Sequence, residues 1–396
     1  VSGARVVVVG AGVAGTAAAW MLRRGGAKVI AIHDRAGSSA LYSGALDDDV
    51  EGAKREAFGP DERAFANALG LWNVKALVLA TREGVVRAAS GADRALLDLE
   101  PLAGKHVAVA DVERDDWDGP LLASALSSSA WATQSSTKFS LVPVEALRRG
   151  HERRITGHDF AKLHDEPERL DALAKLLGES SKGYDGWLLG PWLGTLPETV
   201  QRLRRALSVP VGETTSFVGG AAGARFENAR DALLAASSIE VVRARVNAVE
   251  ARGERWAVHV EGAEARGARS DELEAEAVVL ATGGVAAGGI AFVWDPERGA
   301  HGFRLPFEAP VLLALDGEPG DSGGSLFGAS LESRGLGVLE RVGIHADAMG
   351  GALFGDVPAT GIYVAGDAVV SRPRTVLEAV RSGVRAARAA LLKSRA

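Results

Sequence analysis

Apolar positions in this chain fall into short unbroken runs at both ends and a more mixed middle. Residues 6–9 are four valines bounded by Gly10, a run too short for a helix, which predicts a strand buried on both faces. The stretch Thr16-Ala17-Ala18-Ala19-Trp20-Met21-Leu22 predicts a helix rich in small residues. Lys28-Val29-Ile30-Ala31-Ile32 predicts a second buried strand after the Gly25-Gly26 turn. Residues 277–281 and 361–365 have the same character, and a helical stretch follows from about Thr375 to Leu392. In the middle, residues 51–100 read mainly as helix at first, on Phe58, Phe65, Leu69 and Leu71, with a strand pair near residues 85–89. Residues 105–111 and 141–144 read as strands, and 117–131 as an Ala/Ser-rich helix. Two charged helices are expected over 159–163 and 166–177, the second with Pro167 in its first turn. Residues 186–194 form an apolar, aromatic, Gly-rich block. Runs at 239–242, 246–249 and 256–260 predict a small antiparallel element with turns at Gly253 and Gly262. Residues 316–337 read as a flexible Gly/Ser-rich loop.

The join between the first strand and helix carries the most chemistry. Gly10-Ala11-Gly12-Val13-Ala14-Gly15 is a G-x-G-x-x-G turn in the context the motif requires. Gly10 allows the tight turn, Gly12 lets a pyrophosphate approach the backbone, and Gly15 lets the helix lie close to the strand. The pyrophosphate is expected on the helix N-terminus beside Val13 and Ala14, where unpaired N–H groups and the helix dipole favour negative charge. A ribose-binding acid is expected at the end of the second strand. His33 stands there, with Asp34 next; either side chain can hydrogen-bond a ribose hydroxyl, or His33 simply ends the strand. The loop from Gly37 to Asp47, with Ser43 and Gly44, is small and hydroxyl-rich, which suits a backbone close to a cofactor.

Two later segments extend this picture. Ala277-Val278-Val279-Leu280-Ala281-Thr282-Gly283-Gly284 and Gly361-Ile362-Tyr363-Val364-Ala365-Gly366-Asp367 resemble the later signature motifs of two-dinucleotide-binding-domain flavoproteins. The resemblance implies FAD, with FMN as the alternative. It assigns Ala281, Thr282, Gly283 and Gly366 to the cofactor's surroundings and the Asp367 carboxylate to the ribityl chain. The fold class that follows is α/β, a Rossmann-like FAD-binding domain of parallel strands and helices plus a smaller inserted α/β domain. Its expected division is 1–140 for the first part, 141–237 for the insert and 238–396 for the second part.

Across its length the chain resembles the B subunit of the anaerobic glycerol-3-phosphate dehydrogenase complex. The resemblance rests on residues 38–47, on His158-Asp159-Phe160-Ala161-Lys162-Leu163-His164-Asp165, on the 186–194 block and on Gly223-Ala224-Arg225. The chain departs from that family after the Gly-Asp motif, where it has Ser371-Arg372-Pro373-Arg374-Thr375 in place of a Gly- and Cys-rich stretch. The family's flavin is given as FMN, whereas the Gly-rich turn argues for FAD. The resemblance implies a flavin-dependent dehydrogenase acting on CH-OH groups, with a quinone or a partner protein as acceptor. The alternative is a non-catalytic electron-transfer or scaffold subunit.

Composition narrows the chemistry. With no cysteine the chain has no disulfide, no cysteine-ligated iron–sulfur cluster and no thiol nucleophile, so electrons must leave through an organic cofactor or a partner. The eight histidines show no paired metal-ligand spacing, and no metal site is expected. A net charge of −6 gives no basic field for nucleic acid. An anionic substrate would therefore be met by local arginines, with Arg225, Arg372 and Arg374 as candidates and His345 as candidate base. A second flavoprotein or an iron–sulfur subunit is the expected partner. No apolar run is long enough to span a membrane. The expected location is cytoplasmic, peripheral to the inner membrane only through partners.

Overall fold

In the computed structural model, which describes residues 4–47, 58–261, 272–316, 318–319, 325–327 and 337–393, the valine run is strand β1 (Arg5–Val9). Helix α1 (Val13–Arg24) and strand β2 (Lys28–Ile32) follow. Further along come β3 (His106–Asp111), β4 (Lys138–Pro143), β5 (Gly186–Leu189) and β6 (Val211–Glu213). The chain then returns through β7 (Glu240–Val242), β8 (Ala277–Leu280), β9 (Gly351–Phe354), β10 (Val357–Val364) and helix α2 (Val376–Lys393). Two compact units result: Val1–Ser39 with Phe58–Phe65 and Ala232–Ala396, and Ala40–Ala57 with Ala66–Asp231. The boundary expected at residue 140 falls inside β4, which pairs with β3 in one sheet, so the second unit begins soon after β2.

The first unit is built on a six-stranded sheet in the order β7-β2-β1-β8-β10-β9. All pairs are parallel except β10 with β9. Strands in the middle of a parallel sheet need cover on both faces, which is why they read as continuous apolar runs. Val6 and Val8 join Ala14, Ala18 and Leu22 of α1 and Ala386 and Ala390 of α2 in one cluster. Val7 and Val9 point the other way, into a cluster with Val258, Phe303 and Leu313. The antiparallel element is present as Arg245–Arg252, Arg255–Glu261 and Glu272–Ala275. Its first turn is at Gly253 (φ +63°), and the turn expected at Gly262 lies outside the described residues. Within the expected flexible loop, Glu318–Pro319 and Ser325–Phe327 are paired strands, and residues 317, 320–324 and 328–336 lie outside the described residues.

The second unit carries its own parallel sheet in the order β6-β5-β3-β4. Residues 51–57 lie outside the described residues; the segment 58–100 departs from the mainly helical expectation, while the strand pair expected near residues 85–89 is present. Pro60–Leu69 is its α-helix, and Trp72–Asn73 with Ala92–Asp93 and Leu77–Ala80 with Val86–Ala89 pair as short antiparallel strands. The β-branched and aromatic residues there, with Gly84 turning at φ +85°, overrule a periodicity carried by only four apolar side chains.

Two buried polar arrangements lock this unit. His164 is 1% exposed, with Nδ1 3.0 Å from the Trp192 carbonyl and its ring stacked on Trp192 and edge-on to Phe160. Burial above all, and then Arg169, depress its pKa to about 4. Arg225 is the second arrangement, and here the sequence expectation is corrected. Its Nε donates to Asp93 Oδ2 (2.7 Å), its Nη2 to Glu213 Oε2 (2.6 Å) and its Nη1 to the Gly194 carbonyl (2.8 Å). A guanidinium fully buried between two acids of its own unit cannot hold a substrate anion. It exists to neutralise Asp93 and Glu213, the latter pushed up by burial against the pull of Arg225.

Both arrangements make predictions. His164 stays neutral in the fold while the unfolded chain takes up a proton below its ordinary value near 6.5. Its contribution to stability is therefore complete above that pH and is lost between about 6.5 and about 4, a displacement worth on the order of 3 kcal/mol. Denaturant titrations at pH 7 and pH 4.5 are expected to show a smaller acid-induced loss for His164→Asn than for the natural protein. Arg225→Met leaves two buried carboxylates without a cation and is expected to lower unfolding free energy by about 3–5 kcal/mol, read as a fall in the denaturant midpoint.

Candidate functional site

The geometry at the end of β1 is set by what a side chain would hit. Gly10 turns at φ +104°, and a Cβ there would lie 2.1 Å from the Ala281 carbonyl oxygen that follows β8. A Cβ on Gly15 would lie 1.9 Å from the Gly10 carbonyl oxygen, so α1 touches the turn it springs from. Gly12 differs. The nearest atom to a Cβ there would be Ser39 Oγ at 3.0 Å, and its face opens onto a groove. The Ser39 hydroxyl accepts from the Val13 N–H, the first amide of α1, at 2.9 Å. Helix α2 is drawn in by the same means, since a Cβ on Gly383 would lie 2.3 Å from the Ala14 carbonyl oxygen. Ser382 Oγ accepts from the Gly366 N–H (2.8 Å), which fixes the Gly-Asp turn to the helix behind it.

One groove in the first unit collects most of the residues expected to bind a cofactor. Gly10, Gly12, Val13 and Ala14 line it from the first turn, and His33 and Asp34 from the end of β2. Ala281, Thr282 and Gly283 line it from the end of β8, and Gly366 and Asp367 from the end of β10. Gly15 supports the turn from beneath. Asp367 Oδ2 accepts from Ser38 Oγ (3.3 Å). Burial pushes this carboxyl up, and Arg374 and the Ser38 hydroxyl pull it back. The Thr282 hydroxyl is buried with no hydrogen-bond partner. The His33 backbone joins β2 to β7, donating to the Val242 carbonyl and accepting from the Ala244 N–H. A glycine at a helix N-terminus faced only by Ser39, a half-buried carboxylate and an unsatisfied hydroxyl around one groove suit a ligand that carries both phosphate and hydroxyl groups.

Ser43 and Gly44 do not line this groove. They belong to the second unit, where the Ser43 carbonyl accepts from the Ser216 N–H and the Gly44 carbonyl from the Asp93 N–H. The four candidates for catalysis are not brought together either. Arg374 clamps backbone, donating to the carbonyls of Glu340 (3.0 Å), Val369 (3.1 Å), Val342 (2.7 Å) and Asp367. Four of its five N–H groups are committed to backbone, so it shapes the Gly-Asp turn from behind and is not an anion fork. Arg372 does not line the groove. His345 is held by its backbone between Leu312 and Leu353, and its half-buried ring does not line the groove. Sequence reasoning missed Arg35, Arg245, Ser38 and Ser39 as individual lining residues. The hydroxyl-rich loop signalled the two serines and adjacency to Asp34 signalled Arg35. Nothing local marks Arg245, which arrives through the pairing of β7 with β2.

No family model matches the chain, and no curated protein sequence matches it. Several solved structures resemble it. A flavoprotein/dehydrogenase from Cytophaga hutchinsonii is 11% identical with a TM-score of 0.37, over 99% of this chain and 78% of that one. CtdE in complex with FAD is 9% identical with a TM-score of 0.34, over 96% of this chain and 82% of that one. CabE, an aromatic hydroxylase from angucycline biosynthesis, is 14% identical with a TM-score of 0.36, over 100% of this chain and 63% of that one. The α/β assignment rests on the strand order and register of the chain itself and not on these likenesses.

Proposed function

We propose that this chain is a flavin-dependent oxidoreductase that holds FAD in the groove of its first unit. The observation that carries the reading is the convergence of Gly12, faced only by Ser39 at the start of α1, and the half-buried Asp367 carboxylate on that one groove. FAD, when bound, supplies the redox chemistry, and the protein supplies position and polarity. Gly12 and the first amides of α1 would receive the pyrophosphate. Asp367 would accept hydrogen bonds from the ribityl hydroxyls, and the Thr282 hydroxyl gains a partner.

The finer reading is a protein like the B subunit of a glycerol-3-phosphate dehydrogenase complex, with FMN as the alternative flavin. It is supported by residues 38–47, 158–165 and 186–194. Within it, we favour electron transfer in a complex over independent turnover of a small anionic substrate. One observation supports that preference: Arg225 and Arg374 are saturated by their own surroundings, and neither Arg372 nor His345 lines the groove. A second flavoprotein or an iron–sulfur subunit would then be the partner, and the location cytoplasmic.

Purified protein is expected to be yellow and to release FAD on denaturation, identified by chromatography; recovery of FMN alone, or of no flavin after reconstitution, would overturn the reading. Gly12→Val is expected to abolish flavin binding while leaving the circular dichroism spectrum unchanged, because the branched side chain enters the pyrophosphate's path. For Asp367→Ala, loss of a charge-assisted hydrogen bond is expected to weaken FAD binding by about ten- to a hundredfold, measured by fluorescence titration.

A further inference from the structure

A pyrophosphate brings two negative charges, and helix N–H groups alone do not neutralise them. Of the charged side chains that line the groove, the arginines are Arg35 and Arg245. Arg245 opens the strand after β7, and β7 lies on the far side of β2 from β1. Arg35 follows β2 itself. Its Nη2 donates to the Gly288 carbonyl at 3.1 Å, and Gly288 belongs to the loop that follows β8. Strands β2 and β8 flank β1 on its two sides. The guanidinium therefore reaches across the end of β1, where Gly10 and Gly12 lead into α1. Gly288 permits this, since it turns at φ +72° and a Cβ there would lie 2.8 Å from Nη2.

We propose that Arg35 is the cation that closes over the pyrophosphate of the bound dinucleotide, exchanging the Gly288 carbonyl for phosphate oxygens. The proposal rests on the flavin-dinucleotide reading of the groove. The present hold on Arg35 is light. Its side chain is 56% exposed, its hydrogen-bond acceptor is one neutral carbonyl, and the Asp34 carboxylate stands 3.8 Å from Nε. Arg374, held by four carbonyls, shows what a structural arginine looks like in the same unit. A planar guanidinium with donors to spare matches two phosphate oxygens at once, which a neutral carbonyl cannot rival. The neighbouring loop points the same way. The Ser39 hydroxyl already accepts from the Val13 N–H, standing where a phosphate oxygen sits on a helix N-terminus. Residues 35–39 thus form a strap whose cation and hydroxyl both face the turn that a pyrophosphate would occupy.

The test is equilibrium binding of FAD, ADP and riboflavin to the full chain and to Arg35→Gln, which keeps a donor for the Gly288 carbonyl and loses the charge. ADP carries the pyrophosphate without a flavin, and riboflavin carries the flavin ring without a phosphate. The expected result is a loss of about ten- to a hundredfold in affinity for FAD and ADP, none for riboflavin, and a shallower dependence of FAD affinity on ionic strength. Arg35→Lys is expected to recover part of the loss, because it restores the charge without the fork. Should Arg35→Gln melt earlier without ligand, Arg35→Lys alone carries the comparison. FAD and ADP affinities within about twofold of the natural protein in Arg35→Gln would overturn the clamp and leave the flavin reading standing. Binding of ADP that depends on Arg35, without any binding of FAD, would keep the clamp and overturn the flavin reading. Failure of the natural chain to bind either ligand would overturn both.

Discussion

Everything in the groove depends on backbones that approach more closely than side chains allow. Gly15 rests on the Gly10 carbonyl, Gly10 on the Ala281 carbonyl, and Gly383 on the Ala14 carbonyl. These contacts bring the end of β1, the start of α1, the end of β8 and the flank of α2 to one place. A methyl group at any of them would push two elements apart, and the loops at the strand ends would no longer converge. Gly12 is the exception that gives the others a purpose, because its missing side chain leaves a face open instead of closing a contact.

The parts that were legible in the sequence are those whose cause is local. A run of valines followed by spaced glycines and a helix of small residues specifies β1, its turn and α1 without reference to anything distant. The same holds for β8 and β10, where the apolar run and the terminal Thr-Gly-Gly or Gly-Asp lie within eight residues. The roles of the arginines were not legible, because each depends on a partner far along the chain. Arg225 meets Asp93 from 132 positions away, and Arg374 meets Val342 from 32. Arg35 faces the groove because β2 lies beside β1, which no window of sequence around it reveals. The strands Trp72–Asn73 and Ala92–Asp93 were missed for a related reason, since the pairing of Trp72 with Asp93 stabilises two-residue strands that have no periodicity of their own.

The two units handle polarity differently. At the centre of the second, Arg225, Asp93 and Glu213 satisfy one another and His164 is kept neutral. The first places two incompletely answered groups on one groove, the Thr282 hydroxyl without a partner and the Asp367 carboxyl pushed up by burial. A satisfied buried network rigidifies a fold, whereas polar groups left short of partners on a groove are open to a ligand.

The order of the sheet in the first unit also governs when the groove comes into being. Strands β2 and β7 are neighbours, yet the whole second unit is threaded between them. The walls of the groove come from residues 9–39, 244–246, 281–289, 306–307 and 366–379. During synthesis the glycine turn emerges before the second unit and the carboxylate of Asp367 after it, with the second unit able to form its own sheet in the interval. Long-range closure of this kind is slow. A nascent chain therefore has no complete groove until residues 366–379 have left the ribosome.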